Sequence, residues 1–406
     1  MAFGRGRLGG LAGALAVTAR IVTGQTEAPP LRPHVMPVVY LPADLDASRD
    51  AIALQIRALE DIRAWYATRL AGHTFQSDPI VVQRSRHAFA ELAGASFQNW
   101  WPLPAEEFAS FGRPWNEHSP RKLLILAHGA GAWAGADSEN GGIDSIAQAG
   151  RVSKGALGGL AVIGDSSIGG ILAGVCPRDG AATWRKPAGG TAWWCNWNTY
   201  RGTLAHEMGH TWGLPHPDAF RSGLRCDSLF ISNMQCHWAW PADSLLPYEA
   251  AHLRSLEGFA AGADSAYRML SSFRTMPSAG GSRVVRFERG DSILWAAGRG
   301  GGTGYPWGLE ITADGASGRA DISVEIAPSE WLVADLGRPS GDTGVVHVRV
   351  DADSRPIFDG ELRVGTYPLE LAAPLRRARR LRIRVAGVRS SHVLLGNARV
   401  YFRAPR

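Results

Sequence analysis

Lysine is nearly missing from this chain: Lys122, Lys154 and Lys186 are the only three in 406 residues, so arginine carries almost all of the positive charge. The arginines are spread along the sequence and the formal net charge is only +6, which excludes the concentrated basic footprint of a nucleic-acid binder. Long hydrophobic runs are lacking too. No stretch approaches the roughly 20 apolar residues that a membrane helix needs, so no transmembrane segment is expected. Neither an internal repeat nor a long low-complexity tract is present, which excludes repeat arrays. Cysteine is sparse. Cys176, Cys195, Cys226 and Cys236 all fall in the central third of the chain and allow three pairings. The local solution, Cys176–Cys195 with Cys226–Cys236, would brace loops on either side of residues 206–216. Free buried thiols are the expectation only for a cytosolic protein.

What is there is ordinary globular material, 45% hydrophobic and 20% charged, in a length that suits two domains. Arg5 and Arg7 precede a small-residue apolar run from Leu8 to Ala19, the pattern of a secretory signal peptide, assigned here to residues 1–24. That implies a secreted protein, extracellular or periplasmic, in a compartment where disulfides form.

Val35–Leu41 reads as a strand, and Asp46 or Ser48 can cap a helix running to about Leu70 with Ile52, Ile56, Leu59, Ile62 and Trp65 at helical spacing. Further short strands are expected at Pro79–Val82, Lys122–Ala127 and Gly159–Gly164, and helices over Asn198–Gly213 and from Pro247 to about Glu257. After a linker at Met276–Ser282 the pattern changes to short β segments between Gly, Asp and Pro turns, most simply a sandwich. The fold class expected is therefore α+β: a mixed twisted sheet with a central helix over residues 25–275, followed by an all-β sandwich over 283–406.

The densest chemistry lies at His206-Glu207-Met208-Gly209-His210-Thr211-Trp212-Gly213-Leu214-Pro215-His216. Histidines at i and i+4 share one helical face, so both imidazoles reach a single Zn²⁺ while the intervening glutamate sits beside the open metal position. Gly213 lets the backbone leave the helix through a left-handed turn, and Pro215 and Pro217 stop the helix from continuing. The chain can then double back to offer His216 as a third ligand. The expectation is one catalytic zinc ion held by His206, His210 and His216, with Glu207 as general base.

This eleven-residue pattern resembles the long zinc-binding consensus of metzincin metallopeptidases. The resemblance implies a methionine-bearing turn beneath the metal, for which Met234 is the candidate, and an edge strand that pairs with extended polypeptide substrate, to which Gly159–Gly164 is similar. Pro217-Asp218 after the third histidine fits no named subfamily, and no tyrosine follows Met234 closely.

In the C-terminal part, Leu381, Ile383 and Val385 alternate with Arg380, Arg382 and Arg384, joined by Arg376, Arg377 and Arg379 upstream. A solvated strand face is the simpler reading, and a patch for anionic polysaccharide the sharper one. Val348–Asp353, Ile357–Gly360, the strand at 381–385 and Asn397-Ala398 resemble NPCBM-type carbohydrate-binding modules, which implies binding to glycan or glycoprotein, with Trp295, Tyr305, Trp307 and Trp331 as aromatics able to stack on sugars. The leading expectation is a secreted zinc endopeptidase with a targeting module. The alternative is a non-catalytic surface-binding protein that keeps a zinc fold, against which Glu207 argues, since a purely structural site has no need of that carboxylate. Zinc hydrolysis of a non-peptide amide or ester also fits the motif.

Overall fold

The computed structural model describes residues 33–93, 102–110, 121–130, 145–148, 159–174, 176, 183–185, 193–215, 232–236, 240–261, 267–277, 282–288, 293–297, 302–313, 317–339, 342, 344–363, 368–387 and 391–402. The signal-peptide segment lies outside them. Among the described residues, no helix is long and apolar enough to cross a membrane.

The elements follow in order: β1 (His34–Leu41), α1 (Arg49–Arg69), β2 (His73–Phe75), β3 (Val81–Arg84), α2 (Phe89–Ala93), α3 (Pro102–Ser110), β4 (Arg121–Ala127), β5 (Ser145–Gln148), β6 (Gly159–Gly164), α4 (Ser166–Leu172), β7 (Thr183–Arg185), β8 (Trp193–Cys195), α5 (Trp197–Thr211), α6 (Asn233–Cys236), α7 (Pro247–Ser255) and β9 (Phe259–Ala261). Then come β10 (Tyr267–Met269), β11 (Thr275–Pro277), β12 (Arg283–Phe287), β13 (Leu294–Ala297), β14 (Gly302–Tyr305), β15 (Gly308–Thr312), β16 (Arg319–Gly337), β17 (Val345–Ala352), β18 (Arg355–Arg363), β19 (Leu369–Ala386) and β20 (His392–Tyr401).

The first sheet runs β13-β14-β3-β1-β4-β6-β5. Its centre is parallel, β3-β1-β4-β6. Strands buried on both faces suit the apolar runs Val38-Val39-Tyr40-Leu41 and Leu123-Leu124-Ile125-Leu126. One face packs on α1 and α5 around Val39, Leu124, Ile163, Ile56, Ile62 and Leu204. The other packs on α2 and α3 through Val38, Ile125, Leu92 and Phe108. Helix α1 starts where its cap was expected, with Ser48 Oγ accepting the Ala51 amide at 3.1 Å, which satisfies one of the four free N–H groups of the first turn.

Two expectations are corrected here. Strand β6 is not the edge. The antiparallel β5 covers it, with Ile146 opposite Val162, so among the described residues the outermost strand on that side is Ser145–Gln148. A four-residue strand flanked by glycine-rich sequence offers too little periodicity to be recognised alone. The domain boundary also differs. Strands β10 and β11, before residue 283, pair in the second sheet, and the β13–β14 hairpin, after it, pairs with β3 in the first, Gly304 opposite Val82. The linker composition at 276–282 therefore does not mark the limit of either sheet.

The second sheet has nine strands, all of its pairings antiparallel, ordered β12-β15-β20-β16-β19-β17-β18, with β10 on β20 and β11 on β16. The long strands β16 and β19 shift register around Ser329 and Trp331, and the whole unit closes over an apolar core that includes Ile322, Leu332, Val348, Ile383 and Leu395. Part of the arginine-rich face is neutralised from neighbouring strands. Arg382 pairs with Asp321 at 2.5 Å, Arg384 with Asp351, and Arg349 with both Asp351 and Asp359, while Glu325 lies opposite Arg380 in the register. Cross-strand ion pairs of this kind favour the solvated-face reading over an anion patch.

The two units are joined by polar contacts as well as by the hairpin. Arg399 Nη2 meets Asp78 Oδ1 at 2.5 Å, Arg121 meets Glu370 at 2.5 Å, and the Asn397 amide donates to the carbonyls of Pro79 and Ile80 at 3.2 and 3.3 Å. Tyr305, Ala296 and Leu394 complete the apolar layer against Val38 and Val81.

Candidate metal centre

Helix α5 carries the His206–His210 pair and is buried nearly all round, as expected of a helix at the heart of a domain. Asn196 caps its start by accepting the amides of Asn198 and Thr199 at 2.6 and 3.2 Å. Tyr66 of α1 donates to the Ala205 carbonyl at 2.7 Å, fixing the turn just before His206.

The other end leaves the helix as the glycine implied. Gly213 has φ +87°; its amide reaches the His210 carbonyl at 2.9 Å, and the Leu214 amide reaches the Gly209 carbonyl at 3.0 Å. This is a Schellman exit, in which the left-handed residue costs a Cβ-bearing side chain energy and glycine none. Such an exit leaves the last two carbonyls without backbone donors. Two distant side chains supply them. Lys122 Nζ, on β4, donates to the Thr211 carbonyl at 2.7 Å and lies 4.4 Å from the Trp212 ring centroid; His252 Nε2, on α7, meets the Trp212 carbonyl at 2.9 Å. Lys122 is 2% exposed, and burial pulls its pKa down to about 8.

Each histidine is oriented through its Nδ1, to the Asn233 carbonyl at 2.9 Å for His206 and to the Leu214 carbonyl at 2.7 Å for His210. A carbonyl only accepts, so both Nδ1 atoms are donors and, in the neutral rings, both Nε2 atoms present lone pairs. Those Nε2 atoms converge to 3.0 Å. Two lone pairs so placed repel unless a cation, whether proton or metal, lies between them. Nitrogens of one tetrahedral zinc with bonds of about 2.0–2.1 Å lie roughly 3.3 Å apart, close to what is observed. Glu207, 5% exposed, brings a carboxylate oxygen within 4.8 Å of both. Two imidazole nitrogens with a buried carboxylate beside them fit part of a zinc site that keeps the glutamate as base.

Met234 sits under this pair. A Cβ built on Gly209 would lie 2.5 Å from Met234 Sδ, so the helix and the methionine approach as closely as they do only because residue 209 is glycine. Met234 lies in α6, whose first residue supplies the carbonyl that orients His206. Two buried carboxylates that the sequence did not mark hold this turn. Asp243 accepts from the Asn233 amide at 2.6 Å, and burial pushes its pKa up to about 7. Glu249 accepts from Ser232 Oγ at 2.9 and 3.0 Å, while that hydroxyl accepts the Met234 amide at 3.1 Å; burial raises the Glu249 pKa as well. The signal available in the sequence was Pro247 with Glu249 two residues on, a helix start, and it said nothing about tertiary reach.

The remaining sequence candidates divide. His216, Cys226 and the side chain of Cys195 lie outside the described residues. Cys176 and Cys236 are buried and disulfide-bonded, and their pairing lies outside the described residues too. His252 caps the helix that carries the histidine pair. His128 is tied to Asp165 at 2.7 Å beyond the carboxyl ends of β4 and β6.

No protein-family model matches the sequence, and no curated protein matches it. Solved structures do. A CBM51 module from Clostridium perfringens GH95, in complex with methyl-galactose, aligns at 16% identity and TM-score 0.28 over 33% of this chain and 99% of that one. The M60 catalytic domain with the CBM51-1 and CBM51-2 domains from Clostridium perfringens ZmpB aligns at 18% and 0.29, over 34% of this chain and 15% of that one. Wild-type OgpA from Akkermansia muciniphila aligns at 12% and 0.34, over 90% and 88%. At these TM-scores the likenesses carry no functional argument.

Proposed function

We propose that this chain is a secreted zinc-dependent endopeptidase in which His206, His210 and His216 hold the metal, Glu207 is the general base, and the C-terminal β unit directs the enzyme to glycan or glycoprotein. The observation that carries the reading is the convergence of two carbonyl-oriented histidine Nε2 atoms at 3.0 Å beside a buried glutamate. Bound zinc supplies a Lewis acid that lowers the pKa of a water toward about 7. Glu207 would act as the general base, its carboxylate taking the proton of the attacking water and returning it to the leaving nitrogen. The Asn233 and Leu214 carbonyls keep both imidazoles in the tautomer that points Nε2 inward. Strand β5, outermost on that side of the first sheet among the described residues, would receive extended polypeptide by main-chain pairing.

Purified protein incubated with a degenerate peptide library is expected to cleave it, and a chelator or Glu207→Gln to abolish cleavage, with the variant still binding one zinc. Cleavage that survives in Glu207→Gln would remove the base from this glutamate; a wild-type protein that binds no zinc would end the reading altogether.

A further inference from the structure

A cavity of about 290 Å³ lies at the seam of the two units, lined by α1, the loop before β3, β10 and Trp307. None of its lining residues belongs to the metal centre. Helix α1 contributes Ile56, Leu59, Glu60 and Arg63, a spacing that places all four on one helical face. The floor is held rigidly. Asp78 Oδ1 meets Arg399 at 2.5 Å and Oδ2 meets His34 at 3.3 Å; although burial alone would raise its pKa, those cations hold it well below the usual carboxylate range. Arg399 in turn donates to the Tyr401 hydroxyl at 2.9 Å, and the Tyr401 ring lies 5.4 Å from that of Tyr267.

Three polar groups of the lining residues make no hydrogen bond to protein among the described residues: the carboxylate of Glu60, an exposed residue at the rim, the Tyr267 hydroxyl and the Trp307 indole N–H. Tyr267 and Trp307 line the cavity and are half-buried, so an occupant that displaces water from them must offer hydrogen-bonding groups of its own. An apolar occupant would displace water from the Tyr267 and Trp307 polar groups and leave them unpaired. A strongly anionic one would face Glu60 and Asp78 against the single guanidinium of Arg63. The indole and phenol rings with Leu59 nevertheless offer apolar surface. A neutral, ring-sized polyol meets both demands, with its C–H face on the aromatics and its hydroxyls on the open polar groups. The volume, at the small end of ligand cavities that begin near about 300 Å³, admits one such ring.

We propose that this seam cavity binds a single pyranose unit of a neutral glycan, with Trp307 as the stacking surface and Glu60 and Tyr267 as the hydroxyl-binding groups. Because both units contribute walls, the bound sugar bridges them. The site stands independently of the peptidase reading, since it shares no residue with that chemistry.

The test uses the full chain. Methyl glycosides of hexoses and N-acetylhexosamines are titrated calorimetrically, beside Glu60→Gln and Tyr267→Phe, two substitutions that keep size and leave the core intact. At least one glycoside is expected to bind wild type and to raise its Tm with concentration. Each variant should weaken that binding by about fivefold or more, as the loss of one well-placed hydrogen bond does, with unliganded Tm and peptide cleavage unchanged. If no glycoside binds, the proposal fails; binding that both variants leave untouched places the sugar elsewhere and fails it equally.

Discussion

Asp243 shows how a single buried carboxyl can write itself into the pH profile. Its 0% exposure pushes the folded pKa to about 7 from 3.8. Between those values the unfolded chain has lost the proton while the native state keeps it, so the native state is favoured most below about pH 4 and progressively less as pH rises through 7. Asp243→Asn retains an acceptor for the Asn233 amide and cannot ionise. Denaturant unfolding at a series of pH values should therefore show a flatter decline between about pH 4 and 7 in the variant, the difference reaching the order of a few kcal/mol. Identical slopes in both proteins would dismiss Asp243 as the source. Glu207 and the two histidines, by contrast, were legible from their spacing alone, because an i, i+4 pair on a helix fixes its own geometry.

At the scale of the element, α5 is a helix whose termini are finished by different means. Its start is local: Asn196 reaches amides two and three residues on. Its end is finished from elsewhere, Lys122 from β4 and His252 from α7, and the Lys122 ammonium also complements the helix dipole. Lys122→Met is expected to lower zinc affinity by about tenfold, the range for residues that orient a metal ligand at one remove, because the exit turn toward His216 loses its anchor. The loss of a buried hydrogen bond and the loss of a buried charge oppose each other in stability, so Tm should move little. Zinc release to a chromogenic chelator reads the effect; an unchanged release rate would mean that the Schellman turn holds itself. The sequence disclosed the turn through Gly213 and its position before two prolines, but not the donors, since Lys122 and His252 lie 89 and 40 residues from the carbonyls they meet.

For the whole molecule, the decisive feature is the exchange of strands between the two sheets. The β13–β14 hairpin extends the first sheet while β10 and β11 extend the second, and Tyr305, Ala296 and Leu394 cover an apolar face of the first. Residues 25–275 expressed alone should expose the β3 edge and that face, and should aggregate where the full chain stays monodisperse by size exclusion. A soluble, zinc-binding 25–275 fragment would contradict this. Local pattern determined much: the cap and stripe of α1, the apolar strands of the parallel centre, the alternation in β19, the helix with its histidines and glutamate, and the left-handed exit at Gly213, since each depends on spacing within a few residues. Only the tertiary structure decided that β5 and not β6 is the edge, that the arginines of β19 meet carboxylates of β16 and β17, that Asp243 and Glu249 hold the turn at Met234, and that the seam does not fall at the linker. Those outcomes depend on which distant segments pair, a choice settled by burial and hydrogen bonding summed over the fold and carried by no local period in the chain.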